Sequence, residues 1–251
     1  MTNSNKVNAL NANGDKFVLT HSRRGVDISS QRQDDLDTAS LAYIDKYRQQ
    51  GKEVNALDLG GGFGAHSIRM AAAGALVLLV DIATSMAEQN ILTAEKEGKI
   101  QSGQVRMLKS DFMQLDNQHI VEKISLFYSQ RALHYIPYYE AKKLLSFMFN
   151  KMALGGHAFI SVAGFDTEYG KTYPDRHLPV EKRFQYLTKA MQEKHGIHHR
   201  VVIYKKEELK TLLTDAGFFV HDMRHSTFGN IKAIASKTSD NVMPIDLKCK
   251  L

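Results

Sequence analysis

The chain has 251 residues, 43% of them hydrophobic, enough to bury the core of a large α/β domain. Its formal charge of +6 is dispersed, which describes a solvated surface with room for an anion-attracting mouth and no long basic tract for nucleic acid. A lone cysteine, Cys249, excludes an internal disulfide and a Cys-based zinc site.

The first ten residues, MTNSNKVNAL, lack the apolar stretch of a secretory signal, and residues 71–83 form too short an apolar run to cross a membrane. A cytoplasmic protein with no membrane partner is expected. From 33 to 49 the positions Leu36, Ala39, Ser40, Tyr43, Ile44 and Tyr47 fall at helical spacing. An alternation follows: strand 54–59, helix 64–73, strand 75–80, helix 85–97, strand 104–109, a short helical segment 113–120, strand 124–129, helix 138–152 and strand 157–163. Strands alternating with helices predict parallel pairing through right-handed crossovers. Residues 164–204, with Gly164, Gly170, Pro174 and Pro179, read as a lid-like insertion carrying a helix over 180–194. A helix over 205–216 then leads into a β-hairpin, 218–225 and 230–236. The expected fold class is α/β, a doubly wound seven-stranded sheet, mostly parallel with a C-terminal antiparallel hairpin. Its expected domain plan is an N-terminal arm and helix forming a substrate-side cap (1–52), a Rossmann-like domain (53–236) with the lid insertion at about 164–204, and a C-terminal tail (237–251).

Residues 56–67, ALDLGGGFGAHS, put four glycines in five positions where the first strand hands over to the first helix. Ligands of open parallel sheets bind outside such strand ends, and bare backbone lets them approach closely. Two patterns fit. Gly60, Gly62 and Ala65 satisfy the dinucleotide turn G-x-G-x-x-A, and Asp58, Gly60, Gly62 and Gly64 satisfy D-x-G-x-G-x-G. A carboxylate just before the turn would repel a pyrophosphate and attract an ammonium group. Asp111 in KSDF and the terminal hairpin also favour the second pattern.

Together these features resemble the class I S-adenosylmethionine-dependent methyltransferases over residues 53–236. The resemblance implies S-adenosylmethionine as cofactor, with Asp58, Gly60, Gly62 and Gly64 cradling its methionine portion. It further implies that Asp81 accepts from the ribose hydroxyls, that Ile82 packs on the adenine, and that Asp111 and Phe112 recognise the adenine edge and face. The motif after the fourth strand reads SQRALHYIP; the Asn/Asp-Pro-Pro-aromatic signature of nucleic-acid amino methyltransferases is absent, and Ser129, Gln130 and Arg131 stand in its place. Ser129 is assigned to the cofactor, and His134 is the candidate general base, with Tyr135 a packing or orienting neighbour. His195, His198 and His199 in HGIHHR have no carboxylate or Cys close by in sequence, so no metal is expected. The acceptor is expected to be a small molecule, anionic or aromatic, gripped by His21, Arg23 and Arg24 of the arm and by Tyr169, Tyr173, Arg176, His177, Arg183 and Tyr186 of the insertion. The arm and insertion would close over the cofactor. Nucleic acid or protein acceptors are the alternatives within the enzyme class, and a non-catalytic cofactor-binding module is the alternative outside it.

Overall fold

The computed structural model describes residues 19–20, 24–25 and 27–238; Cys249, His21 and Arg23 lie outside them. Seven strands, β1 (Asn55–Leu59), β2 (Leu76–Asp81), β3 (Val105–Lys109), β4 (Ile124–Gln130), β5 (Met152–Val162), β6 (Phe219–His225) and β7 (Ile231–Ser236), form one sheet in the order β3-β2-β1-β4-β5-β7-β6. The first five are parallel, and β7 runs antiparallel to β5 and β6. Strand order reverses between β1 and β4, so the carboxyl ends of these two strands flank the crevice where ligands bind.

Alternation along each strand feeds two cores. On one face Ala56, Val77, Leu79, Leu126 and Tyr128 pack under helices α1 (Asp35–Gln49), α2 (Ala65–Ala72) and α3 (Ser85–Lys96). On the other, Leu57, Leu59, Phe127 and Ile160 pack under α4 (Tyr138–Lys151) and α7 (Lys206–Asp215). Helix α1 begins at a capping box, Asp34 accepting from the Leu36 and Asp37 amides while Asp37 accepts from Asp34 N–H, and it buries Leu36, Tyr43, Ile44 and Tyr47. These side chains join the core on that face of the sheet.

Three local expectations fail, each for a visible reason. The helical segment 113–120 reduces to a 3-10 turn, Phe112–Gln114, because the Asp116 carboxylate takes the Gln118 and His119 amides at 2.8 and 3.2 Å and so competes with a helix. Strand β5 starts at Met152, five residues early: its pairing with β4 jumps from Ile124↔Met152 to Leu126↔His157, an irregularity that absorbs Gly155 and Gly156. The helix over 180–194 is broken into a 3-10 turn, Val180–Lys182, and α6 (Lys189–His195). Between them the buried Tyr173 hydroxyl donates to the carbonyls of Arg183 and Val201 and accepts from Gln185 N–H, and Gln185 pairs with Val201 as a β-bridge. The insertion also contains α5 (Glu168–Lys171) and has its own small core of Ala163, Tyr173, Leu187, Ile197, Val201 and Ile203.

Candidate active site

The glycine turn after β1 is built for close approach. Gly60, Gly62 and Gly64 have φ of +80°, +55° and +79°, backbone that other residues rarely adopt. Gly60 N–H donates to Val80 O at 2.8 Å, and a Cβ there would collide with Ala132 and press on the Phe112 ring. Gly61, treated as a spacer in the sequence motif, is equally constrained: its Cβ would lie 2.7 Å from Leu79 Cγ and 3.0 Å from Asp58 Oδ2. Gly64 caps α2 in the left-handed conformation.

Around this loop lies a donor chamber of about 160 Å³ lined by Asp58, Gly60, Gly62, Asp81, Ile82, Phe112 and His134, among others. Asp58 is 2% exposed and accepts from Ser67 Oγ at 2.6 Å. Burial, with the Asp37 and Asp81 carboxylates nearby, pushes its carboxyl up to about 7. Asp81 spans the loop: one oxygen accepts from Gly62 N–H at 3.1 Å and the other from Ala83 N–H at 3.0 Å. Burial raises this carboxyl too, against those amide bonds. Each oxygen keeps a lone pair for a further donor.

Two of the expected cofactor residues sit elsewhere. Asp111 caps the 3-10 turn by accepting from Met113 N–H at 3.0 Å, and it does not line the chamber. Ser129 is fully buried and donates to Leu59 O at 3.1 Å, tying β4 to β1. In their place the chamber wall includes Tyr128 and His66, whose rings pack at 4.1 Å. His66 Nε2 lies 2.9 Å from Ser40 Oγ, and burial lowers its pKa to about 3. The Tyr128 hydroxyl donates to Asp37, so the first turn of α1 is bonded directly to the chamber wall. Only long-range pairing reveals this set.

His134 lines the donor chamber at 1% exposure. Its Nδ1 accepts from Ala163 N–H at 3.3 Å, which leaves the ring hydrogen on Nε2, and burial lowers its pKa to about 3, with Arg131 adding to the effect. Such a ring donates hydrogen bonds and is a poor proton acceptor near neutral pH. His195 differs in facing a carboxylate. Its Nε2 lies 3.2 Å from Glu168 Oε2. Burial lowers its pKa, with Glu168 pulling the other way.

Ser29, Gln130, Arg131, Tyr169 and His195 are shared with a second, larger chamber of about 760 Å³, bounded also by α1, α5 and the β6–β7 turn. The arm and insertion meet over the donor chamber. Arg24 pairs with Ile197, Gly25 N–H donates to Gly196 O at 3.1 Å, and the Tyr135 hydroxyl donates to Arg24 O at 2.5 Å. Of the residues expected to grip the acceptor, Arg24 lines the donor chamber and Tyr169 lines both. Arg183 is wholly buried against Glu208 and Phe165, Arg176 lies over Phe165, Tyr173 is part of the insertion core, and Tyr186 is exposed beneath Arg200. None of these four, nor His177, lines either chamber. Among the described residues no group of three His, Cys, Asp or Glu could hold a metal, and no helix is long and apolar enough to cross a membrane.

Residues 56–156 match the family model of a methyltransferase domain. No curated protein sequence matches significantly. Among solved structures, a S-adenosylmethionine-dependent methyltransferase from Methanosarcina mazei superposes with a TM-score of 0.58 at 19% identity, covering 74% of this chain and 93% of its own. The magnesium protoporphyrin IX methyltransferase of Synechocystis, with bound S-adenosylhomocysteine, gives 0.55 at 19% identity over 80% of this chain and 83% of its own. The 1,6-didemethyltoxoflavin-N1-methyltransferase of Burkholderia thailandensis, with its substrate and S-adenosylhomocysteine, gives 0.55 at 18% identity over 82% and 79%. With its β3-β2-β1-β4-β5-β7-β6 sheet the chain has the Rossmann-like fold of the class I S-adenosylmethionine-dependent methyltransferases, and residues 56–156, which carry the glycine turn and the strand-end acids, match a methyltransferase domain.

Proposed function

We propose that the protein transfers a methyl group from S-adenosylmethionine in the donor chamber to a small molecule in the larger one. The observation that carries the reading is the junction itself: a glycine cradle flanked by Asp58 and Asp81 meets, through Arg131, Tyr169 and His195, a chamber large enough for a compact acceptor. Magnesium protoporphyrin IX and 1,6-didemethyltoxoflavin, named for two structural neighbours, support a small-molecule acceptor.

The residues present fit the cofactor. The Gly60–Gly62 backbone leaves space that side chains would fill, Asp58 offers a carboxylate for the ammonium group, Asp81 offers lone pairs for ribose hydroxyls, and Ile82 and Phe112 offer faces for the adenine. Bound sulfonium supplies an activated methyl group, so the chain's task is alignment and water exclusion. The arm, fastened by Tyr135 and Gly196, covers the donor chamber. His195, oriented by Glu168, takes a proton from the acceptor where the nucleophile carries one. Neutral His134 holds a hydrogen-bond donor on the donor-chamber wall.

Incubation with methyl-labelled S-adenosylmethionine and separate fractions of metabolites, tRNA and protein tests the proposal. Label is expected in the metabolite fraction. Label in tRNA or protein, or binding without transfer to any fraction, would overturn it.

A further inference from the structure

The second chamber is lined by five carboxylates, and each already faces a basic side chain. Asp34 meets Lys232 at 2.7 Å, Asp35 meets Arg224 at 2.8 Å, and Asp37 meets Arg69 at 3.3 Å. Asp166 meets His225 at 2.7 Å, and Glu168 meets Lys194 and His195. Arg131 and Lys171 line the same chamber, and among the described residues neither side chain has a carboxylate partner. Lys171 is exposed at the rim, whereas Arg131 is half-buried at the junction of the two chambers.

Arg131 is also held in an unusual backbone. Its φ is +53°, a conformation that non-glycine residues seldom adopt and that clusters at functional sites when the surroundings enforce it. The enforcement is visible: Arg131 N–H donates to Ser161 O at 2.9 Å, and the neighbouring Gln130 side chain donates to Asp34 at 2.5 Å. The turn projects a guanidinium, a planar fork suited to a carboxylate.

We propose that Arg131 docks a carboxylate of the methyl acceptor, so that the substrates are small carboxylic acids. The inference rests on the methyltransferase reading above. A carboxylate could also come from the amino-acid end of the cofactor. Arg24, which lines the donor chamber and not the second one, is the cation placed for that group, whereas Arg131 reaches both.

The test uses the full chain saturated with S-adenosylhomocysteine and titrated with 4-hydroxybenzoate or its uncharged counterpart 4-hydroxybenzamide. The acid is expected to bind at least tenfold more tightly, and Arg131→Gln to abolish the difference. Arg131→Gly, which suits the positive φ, should do the same with the melting temperature preserved, which separates loss of charge from misfolding. Equal binding of the two probes, binding of neither, or a preference that survives both substitutions would overturn the proposal. S-adenosylhomocysteine and 5′-methylthioadenosine, which lacks the carboxylate, separate the two sources. If Arg131→Gln weakens only the former, the cation serves the cofactor and the proposal falls. Failure of the intact protein to bind S-adenosylhomocysteine at all would instead sink the methyltransferase reading.

Discussion

Replacing Asp58 by Asn should make the unliganded protein more stable and nearly blind to its cofactor. Asp58 is enclosed at the end of β1, where burial and two neighbouring carboxylates raise its pKa to about 7 from an ordinary 3.8. A folded-state value above the unfolded one means that this group's contribution is fully favourable below about pH 4 and is lost as pH rises towards 7. At about 1.4 kcal/mol per pKa unit, the shift sets an upper figure of about 4 kcal/mol at neutral pH, and half of that is a prudent magnitude. Asn keeps an oxygen for the Ser67 hydroxyl and carries no charge. The expected gain of about 2 kcal/mol corresponds to a rise in melting temperature of roughly 4–8 °C at pH 7–8, shrinking towards pH 4. The ammonium group of the cofactor would restore the carboxylate, so binding at pH 7 should release about half a proton per site, measurable by calorimetry in two buffers of different ionisation enthalpy. Asp58→Asn should abolish that release and weaken S-adenosylhomocysteine more than about tenfold, since a charge-assisted bond is lost. A variant that melts below the parent at pH 8, or that binds the cofactor equally well, would refute the reasoning.

Asp81→Ala removes the acceptor for the Gly62 and Ala83 amides together with the proposed ribose contact. Calorimetric affinity for S-adenosylhomocysteine should fall by about 2–3 kcal/mol, and unchanged affinity would withdraw the ribose assignment. Tyr135→Phe deletes the hydroxyl that fastens Arg24. Loss of about 1 kcal/mol from the closed arm should speed S-adenosylhomocysteine release roughly fivefold in stopped-flow fluorescence, and an unaltered rate would mean that the arm does not gate the donor chamber. His195→Gln should lower turnover about 10²- to 10⁴-fold with the fraction that accepts label, flatten the acid limb of the pH–rate profile and spare cofactor affinity. If His134→Gln produces that profile instead, the proton passes through the other ring.

The parts legible in sequence are those governed by near neighbours along the chain. Four glycines between an apolar strand and an amphipathic helix, with Asp58 before them and Asp81 at the next strand end, needed only local backbone rules and strand alternation to be placed. The hairpin 218–236 and the parallel pairing of the first five strands followed from the same periodicities. Side-chain destinations did not. Asp111 turned inward on its own 3-10 turn, Ser129 became a strand tie, Arg183 was buried against Glu208, and Tyr173 was spent on three backbone groups of the insertion. No spacing rule distinguishes a tyrosine that lines a cavity from one that holds a loop together.

By itself, the sequence determined where bare backbone and a strand-end carboxylate come together, because glycine's freedom and strand alternation act over a few residues. Tertiary structure alone decided which ionisable groups stand at the junction of the two chambers. Burial and the Ala163 amide lower the pKa of His134, Glu168, 27 residues away, lies beside His195, and Arg131 stands half-buried between the chambers with no carboxylate partner among the described residues. Desolvation and charge pairing depend on what the fold brings within a few ångströms, and that information is spread over the entire chain.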